Sequence, residues 1–137
     1  MLNQERLPYL LQKEHIAQLQ KDSILIGDRR VFPFERSFVR CHDIVSVANA
    51  IRAMVTQGGG PLQVALVSMR FLARQMARSI VACTIETFNE AIGIISKARL
   101  TNTTMARTLK SFANQLAAIE FDARTVVDIT DKLIAAI

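Results

Sequence analysis

The sequence predicts a mainly α fold, a small antiparallel β-meander followed by an antiparallel helical bundle. Three observations carry that expectation. β-branched and aromatic residues gather in short runs between Ile24 and Cys41, punctuated by Gly27, Asp28 and Pro33. From Asp43 onward, apolar residues recur at helical spacing in one stretch after another. The connections between those stretches are short, and no internal repeat or low-complexity tract interrupts them, which favours closely packed antiparallel neighbours.

Taken in order, Pro8 suits the first turn of an N-terminal helix over residues 8–21, in which Tyr9, Leu10, Leu11, Ile16 and Leu19 share a face until Asp22 and Ser23 break the pattern. Strands are expected at residues 24–26, 31–34 and 37–41, placing the small sheet within residues 24–41. Asp43 then caps a helix whose Ile44, Val47, Ile51 and Met54 line one face. That helix is expected to run to the glycines at 58–60, and Pro61 opens the next one, where a missing N–H does little harm. Leu62, Leu66, Met69, Leu72, Met76 and Ile80 form one face of this second helix, with Val64 and Phe71 on others, so it should be the most buried. Thr84 caps a helix carrying Phe88, Ile92 and Ile95 that ends near Arg99. After a polar interlude at 100–104, Met105, Leu109, Phe112, Leu116 and Ile119 stripe another. Phe121 and Asp122 separate it from a last helix with Val126, Val127, Leu133 and Ile134.

With 137 residues, 50% of them apolar, the chain has the length of a single domain over residues 1–137 and can bury a real core. No apolar run approaches the roughly 20 residues that a membrane span needs, and the amino terminus is too polar and acidic for a secretory signal. Cys41 and Cys83 lack partners at ligand spacing, so neither a disulfide framework nor a zinc site is indicated, and a cytoplasmic protein with reduced thiols and no cofactor is expected. His15 and His42 stand alone, better suited to polar surface roles than to acid–base work. No catalytic residue is assigned.

The net charge of +5 is unevenly spread. Residues 44–85 hold four arginines and no acid, and Arg70, Arg74 and Arg78 recur every fourth residue along one side of a helix. Such a stripe is either a solvated helix face or a basic surface for an acidic partner or phosphorylated ligand. Nucleic acid is disfavoured, because a single Tyr and no Trp leave no stacking platform beside the basic residues. The glycine turn at 58–60 has two readings as well: an ordinary helix-to-helix connection, or a turn whose amides face an anion at a helix N-terminus.

The run Leu25-Ile-Gly-Asp-Arg-Arg-Val, the run Ser37-Phe-Val-Arg-Cys41 and the helix ending Ala50-Ile-Arg-Ala-Met-Val-Thr-Gln-Gly58 together resemble the N-terminal domain of the methylthioribose-1-phosphate isomerases. That family also includes ribose-1,5-bisphosphate isomerases and regulatory subunits of translation initiation factor two B. The resemblance extends from about residue 24 to 109. It implies a small sheet and helical bundle standing before a Rossmann-like domain, absent here, that carries the catalytic cysteine and aspartate. It also implies a phosphate-facing turn: where the isomerases have Arg-Gly-Ala-Pro, this chain has Gln57, Gly58, Gly59 and Gly60, with Pro61 displaced by one. The arginine is gone, and a neutral amide cannot make its forked contact with phosphate. A second family arginine corresponds to Arg99, followed by Leu100 in place of proline. Cys41 occupies a position where family members often carry a cysteine, a packing role rather than that of a nucleophile.

Three functional readings follow. The first is the N-terminal domain of a sugar-phosphate isomerase-like protein of the methionine-salvage type, in which Gln57, Gly58, Gly59 and Arg99 face a pentose phosphate. It requires Arg99 and the Gly58 turn to converge. The second is an assembly or regulatory module of the initiation-factor type, pairing with a second copy or a separate Rossmann-like domain. The third is a basic binding module for nucleic acid or acidic proteins, built on Arg70, Arg74 and Arg78.

Overall fold

The computed structural model describes Tyr9 and residues 12–137. A single helical turn, α1 (Lys13–Ile16), leads directly into strand β1 (Ala17–Leu19), followed by β2 (Ile24–Gly27) and β3 (Phe38–Cys41). The strands form an antiparallel meander in sequence order, with Leu19 opposite Ile24 and Ile24 opposite Cys41. Five helices follow: α2 (Ile44–Arg52), α3 (Gly60–Ala77), α4 (Ile85–Ala98), α5 (Thr103–Ala117) and α6 (Val126–Ala135). Sheet plus helical bundle is the architecture the sequence predicts.

The sheet is assembled differently from expectation. Among the described residues of the helix predicted over residues 8–21, only the single α-helical turn Lys13–Ile16 forms; Pro8 lies outside the described residues. Ala17 is already extended, and residues 17–19 pair with the free edge of β2. A short helix has a costly nucleus and few bonds to repay it, whereas an unpaired edge on a central strand offers a full ladder. The hairpin closes through Gln20 N–H donating to Ser23 O at 2.9 Å. Leu10 and Leu11 lie outside the described residues. The strand predicted at 31–34 is a turn containing a cis Phe32–Pro33 bond, with Phe34 93% exposed. Pro33 has no N–H to give a ladder, so these β-prone residues belong to the long loop of the β2–β3 hairpin, closed by Asp28 N–H to Ser37 O at 2.9 Å.

The strand β2 alternates as a half-buried strand should: Ile24 and Ile26 are fully buried, while Leu25 and Gly27 are not. Helix α2 begins with a reciprocal capping box in which Ser46 N–H donates to Asp43 Oδ1 at 2.7 Å and Asp43 N–H donates to Ser46 Oγ at 3.2 Å. It stops at Arg52, well short of the glycines. Met54 takes the left-handed conformation at φ 64° and its N–H donates to Ile51 O, while Val55 N–H donates back to Ala50 O. This double closure usually recruits a glycine at the left-handed position. Met54 is therefore 47% exposed rather than part of the buried face.

Helix α3 is the centre of the molecule, packing on every other helix and on β1 and β2. Its Val64, Ala65, Ser68, Met69 and Ala73 are completely buried, and Phe71, Leu72 and Met76 nearly so. Leu62 is half-buried, and Ile80, beyond the end of the helix, is exposed, so the predicted face is shorter than expected. Thr84 caps α4 by accepting from Thr87 N–H, and Asn102 caps α5 by accepting from Met105 N–H. The stripe Met105, Leu109, Phe112 and Leu116 is buried, and Phe112 meets Phe88 of α4 edge-to-face at 5.7 Å. Ile119 falls past the helix and is 40% exposed. Among the described residues no helix is long and apolar enough to cross a membrane.

Candidate functional site

The glycine turn, α1 and the β2–β3 loop enclose a cleft of about 250 Å³. Three stretches of chain meet there. The first brings Lys13, His15 and Ile16, with Tyr9 beside them. The second brings Gly27, Asp28, Arg29, Phe32, Glu35 and Arg36, and the third Thr56, Gln57, Gly59, Gly60 and Gln63 at the start of α3. Two glycines make room for these close approaches. A side chain on Gly27 would overlap the His15 carbonyl, and one on Gly60 would overlap the Thr56 hydroxyl.

The loop from Ala53 to Gly59 is held from two sides. On one side, Arg29 N–H donates to Val55 O at 2.9 Å and its guanidinium donates to Gln57 O at 3.3 Å. On the other, Arg99 Nη2 donates to Ile51 O at 2.7 Å and Thr56 O at 3.3 Å, and touches Met54 Sδ at 2.9 Å. Arg99 and the glycine turn thus converge on the same loop, but the arginine turns its Nη2 to backbone carbonyls and does not line the cleft. Gln57 lines it, although its side-chain amide donates back to Met54 O at 3.0 Å. Gly59 lines it and caps α3 without a side-chain acceptor; in the first turn the Gly60 N–H donates to Gln57 O at 3.0 Å and Pro61 has no N–H. Gly58, at φ 62°, is not among the lining residues, and a side chain there would meet Arg29 Nη1 at 3.5 Å.

Arg29 is the cation that sequence reasoning passed over. It lies inside the run Gly-Asp-Arg-Arg-Val, where nothing local distinguishes it from Arg30. The fold separates them: Arg30 turns to Asp28, Nη2 to Oδ2 at 2.9 Å, and that bond holds the Asp28 carboxyl below its usual range. Opposite, Tyr9 is stacked on His15 with ring centres 3.7 Å apart, and His15 Nδ1 donates to the Tyr9 carbonyl at 2.8 Å. The Arg36 guanidinium lies 4.3 Å from the centre of the same tyrosine ring, a cation–π contact.

The arginine stripe on α3 lies elsewhere and is already paired. Arg70 and Arg74 flank Asp131 of α6 at 3.6 and 3.2 Å. Arg78 reaches Asp22 in the β1–β2 hairpin at 2.8 Å, which lowers that carboxyl's pKa. These arginines join α3 to its neighbours. Cys41 is buried, and burial pushes its thiol pKa up, the opposite of what activates a nucleophile. Cys83 is half-buried and shifted the same way for the same cause.

No family model matches the chain, and no curated protein matches it at a significant level. Among solved structures, the fold is similar to that of the 5-methylthioribose 1-phosphate isomerase from Pyrococcus horikoshii OT3, with a TM-score of 0.66 and 20% identity. The match covers 93% of this chain and 36% of that one, so the chain spans little more than a third of the isomerase's length. At that identity the likeness is one of fold, and it is the fold that the resemblance of the sequence implies.

Proposed function

We propose that this chain is an isomerase-like domain that binds the phosphate end of a sugar phosphate, with the reacting groups supplied by a further domain or chain. The observation that carries this reading is the cleft itself. Gln57, Gly59 and Gly60 line it at the N-terminus of α3, an 18-residue helix whose dipole places partial positive charge at that end. Thr56, only 2% exposed, borders the same space, and its hydroxyl lies against Gly60. The fold shared with a methylthioribose-1-phosphate isomerase supports the choice of a phosphorylated pentose.

Isothermal titration with ribose 1-phosphate and methylthioribose 1-phosphate, with unphosphorylated ribose as control, tests it. Saturable heat from a phosphate ester and none from ribose is the expected result. Silence from both esters overturns the reading.

A second reading has its own support. Leu100, next to Arg99 in the chain, is 80% exposed, and Met54, which Arg99 touches, is 47% exposed, apolar surface that suits a protein contact. In this account the chain is an assembly module of the initiation-factor type, pairing with a second copy or a Rossmann-like domain. Light scattering on the wild type and Leu100→Asp tests the self-pairing form, which expects an oligomer that the substitution dissociates.

A further inference from the structure

We propose that Arg29, on the β2–β3 loop, is the residue that binds the ligand's phosphate, supplying at the glycine turn a full charge that the neutral side chain of Gln57 does not. The inference rests on the phosphate-ester reading and adds what that reading leaves open, a cation. Backbone amides alone provide partial charges, whereas a dianionic phosphate in a partly closed cleft calls for a full one.

The geometry points to Arg29 on three counts. Its guanidinium is already at the turn: Nη1 is 3.3 Å from Gln57 O and sits 3.5 Å from where a Gly58 side chain would begin. Its backbone is fixed by the bond to Val55 O, so the side chain starts from an anchored base. And one bond to Gln57 O uses a single N–H of the five that a guanidinium carries, leaving a fork for a planar pair of phosphate oxygens.

The other arginines near the cleft are placed for different work. Arg36 lies over Tyr9, Arg30 is paired with Asp28, and Arg99, bonded to the Ile51 and Thr56 carbonyls, does not line the cleft. Thr56 completes the arrangement, its hydroxyl beside Gly60 being able to donate to a third oxygen. The glycines at 58 and 60 are what allow this. Glycine suits position 58 for its left-handed φ of 62°, and a side chain at 60 would displace the hydroxyl.

The test is titration of ribose 1-phosphate into the wild type and three variants, Arg29→Gln, Arg29→Lys and Arg124→Gln, with folding checked by circular dichroism. Arg29→Gln is expected to weaken binding at least about tenfold, the loss of a charge-assisted pair. Arg29→Lys, which keeps the charge but loses the fork, should recover part of it. Arg124→Gln removes the same charge from an exposed site paired with Asp122 and should bind as the wild type does. If Arg29→Gln is folded and binds equally well, or if Arg124→Gln weakens binding as much, Arg29 is not the phosphate ligand while the cleft remains one. If the wild type itself binds no ester, the cleft reading and this one fall together.

Discussion

The front of this molecule, made of α1, the sheet and the glycine turn, and the bundle of helices behind it are held together by different kinds of information. In the bundle each helix is specified by its own residues. Thr84 and Asn102 cap by bonds three positions long, and the Met105–Leu116 stripe is buried because its spacing puts it on one face. In the front the decisive bonds span the chain. Arg29 reaches 28 positions to Gln57, Arg99 reaches 48 to Ile51, and β1 exists because β2 has an edge to fill. The difference teaches that the bundle is a scaffold set by local rules, whereas the cleft is set by side chains arriving from elsewhere.

Breaking each region should therefore look different. The largest effect belongs to the bundle. Phe112→Ala empties a site that is 1% exposed and removes the edge-to-face contact with Phe88, so it should lower unfolding free energy by about 3–5 kcal/mol. Urea denaturation measures it, and the loss should be felt cooperatively throughout the chain rather than at the cleft alone. A loss below about 1 kcal/mol would mean the bundle is not the scaffold described here.

Arg99→Ala tests the front. It removes charged donors from two backbone carbonyls, those of Ile51 and Thr56, and should cost about 2 kcal/mol. Unlike the phenylalanine substitution, it should act locally. Hydrogen exchange is expected to quicken at the amides of residues 53–60 well before it does in α4 or α5. Uniform quickening would erase the distinction between the two regions.

This contrast also explains what could be read from the sequence. Asp43, Thr84 and the glycine–proline opening of α3 were legible because capping is local chemistry, and the bundle followed from periodicity. Residues 13–19 misled because their apolar spacing fits a helix while the β2 edge, which wins, is visible only in three dimensions. The end of α2 misled because Met54 occupies a left-handed position that sequence rules reserve for glycine. At the cleft, Gln57 and Gly59 could be named from the glycine turn, but Gly58, named with them, does not line it, and Arg29 could not be named. No spacing rule links it to a turn 28 positions later, and Arg99, which could be named, serves the loop's backbone instead.

A smaller effect sharpens the picture of the bundle's own joints. Thr130 on α6 is fully buried, and its hydroxyl has no partner among the described residues, an unsatisfied group in the packing of α6 on α3. A valine has the same shape without the hydroxyl. Thr130→Val should raise stability by about 1 kcal/mol, read as a higher urea midpoint at unchanged slope. Destabilisation would show that the hydroxyl has a role in the α3–α6 contact.

The smallest effect lies at the seam between the two regions, where Asp43 turns the sheet into the bundle. The Ser46 amide, donating to its carboxylate, holds the Asp43 pKa below the ordinary value, with the Ser46 hydroxyl helping. A carboxyl whose folded pKa is depressed contributes stability above its unfolded pKa of about 3.9 and loses that contribution as pH falls through the lower, folded value. The side chain is exposed, so the contribution is only about 0.5 kcal/mol after solvent screening. An asparagine in its place would cap nearly as well without titrating. Asp43→Asn should therefore match the wild type at pH 7 and lose slightly less stability between pH 5 and 3, measured by urea midpoints across that range. A wild type and variant with the same acid profile would show that the cap works through its geometry alone, and that the entry to the bundle does not depend on the charge of its first residue.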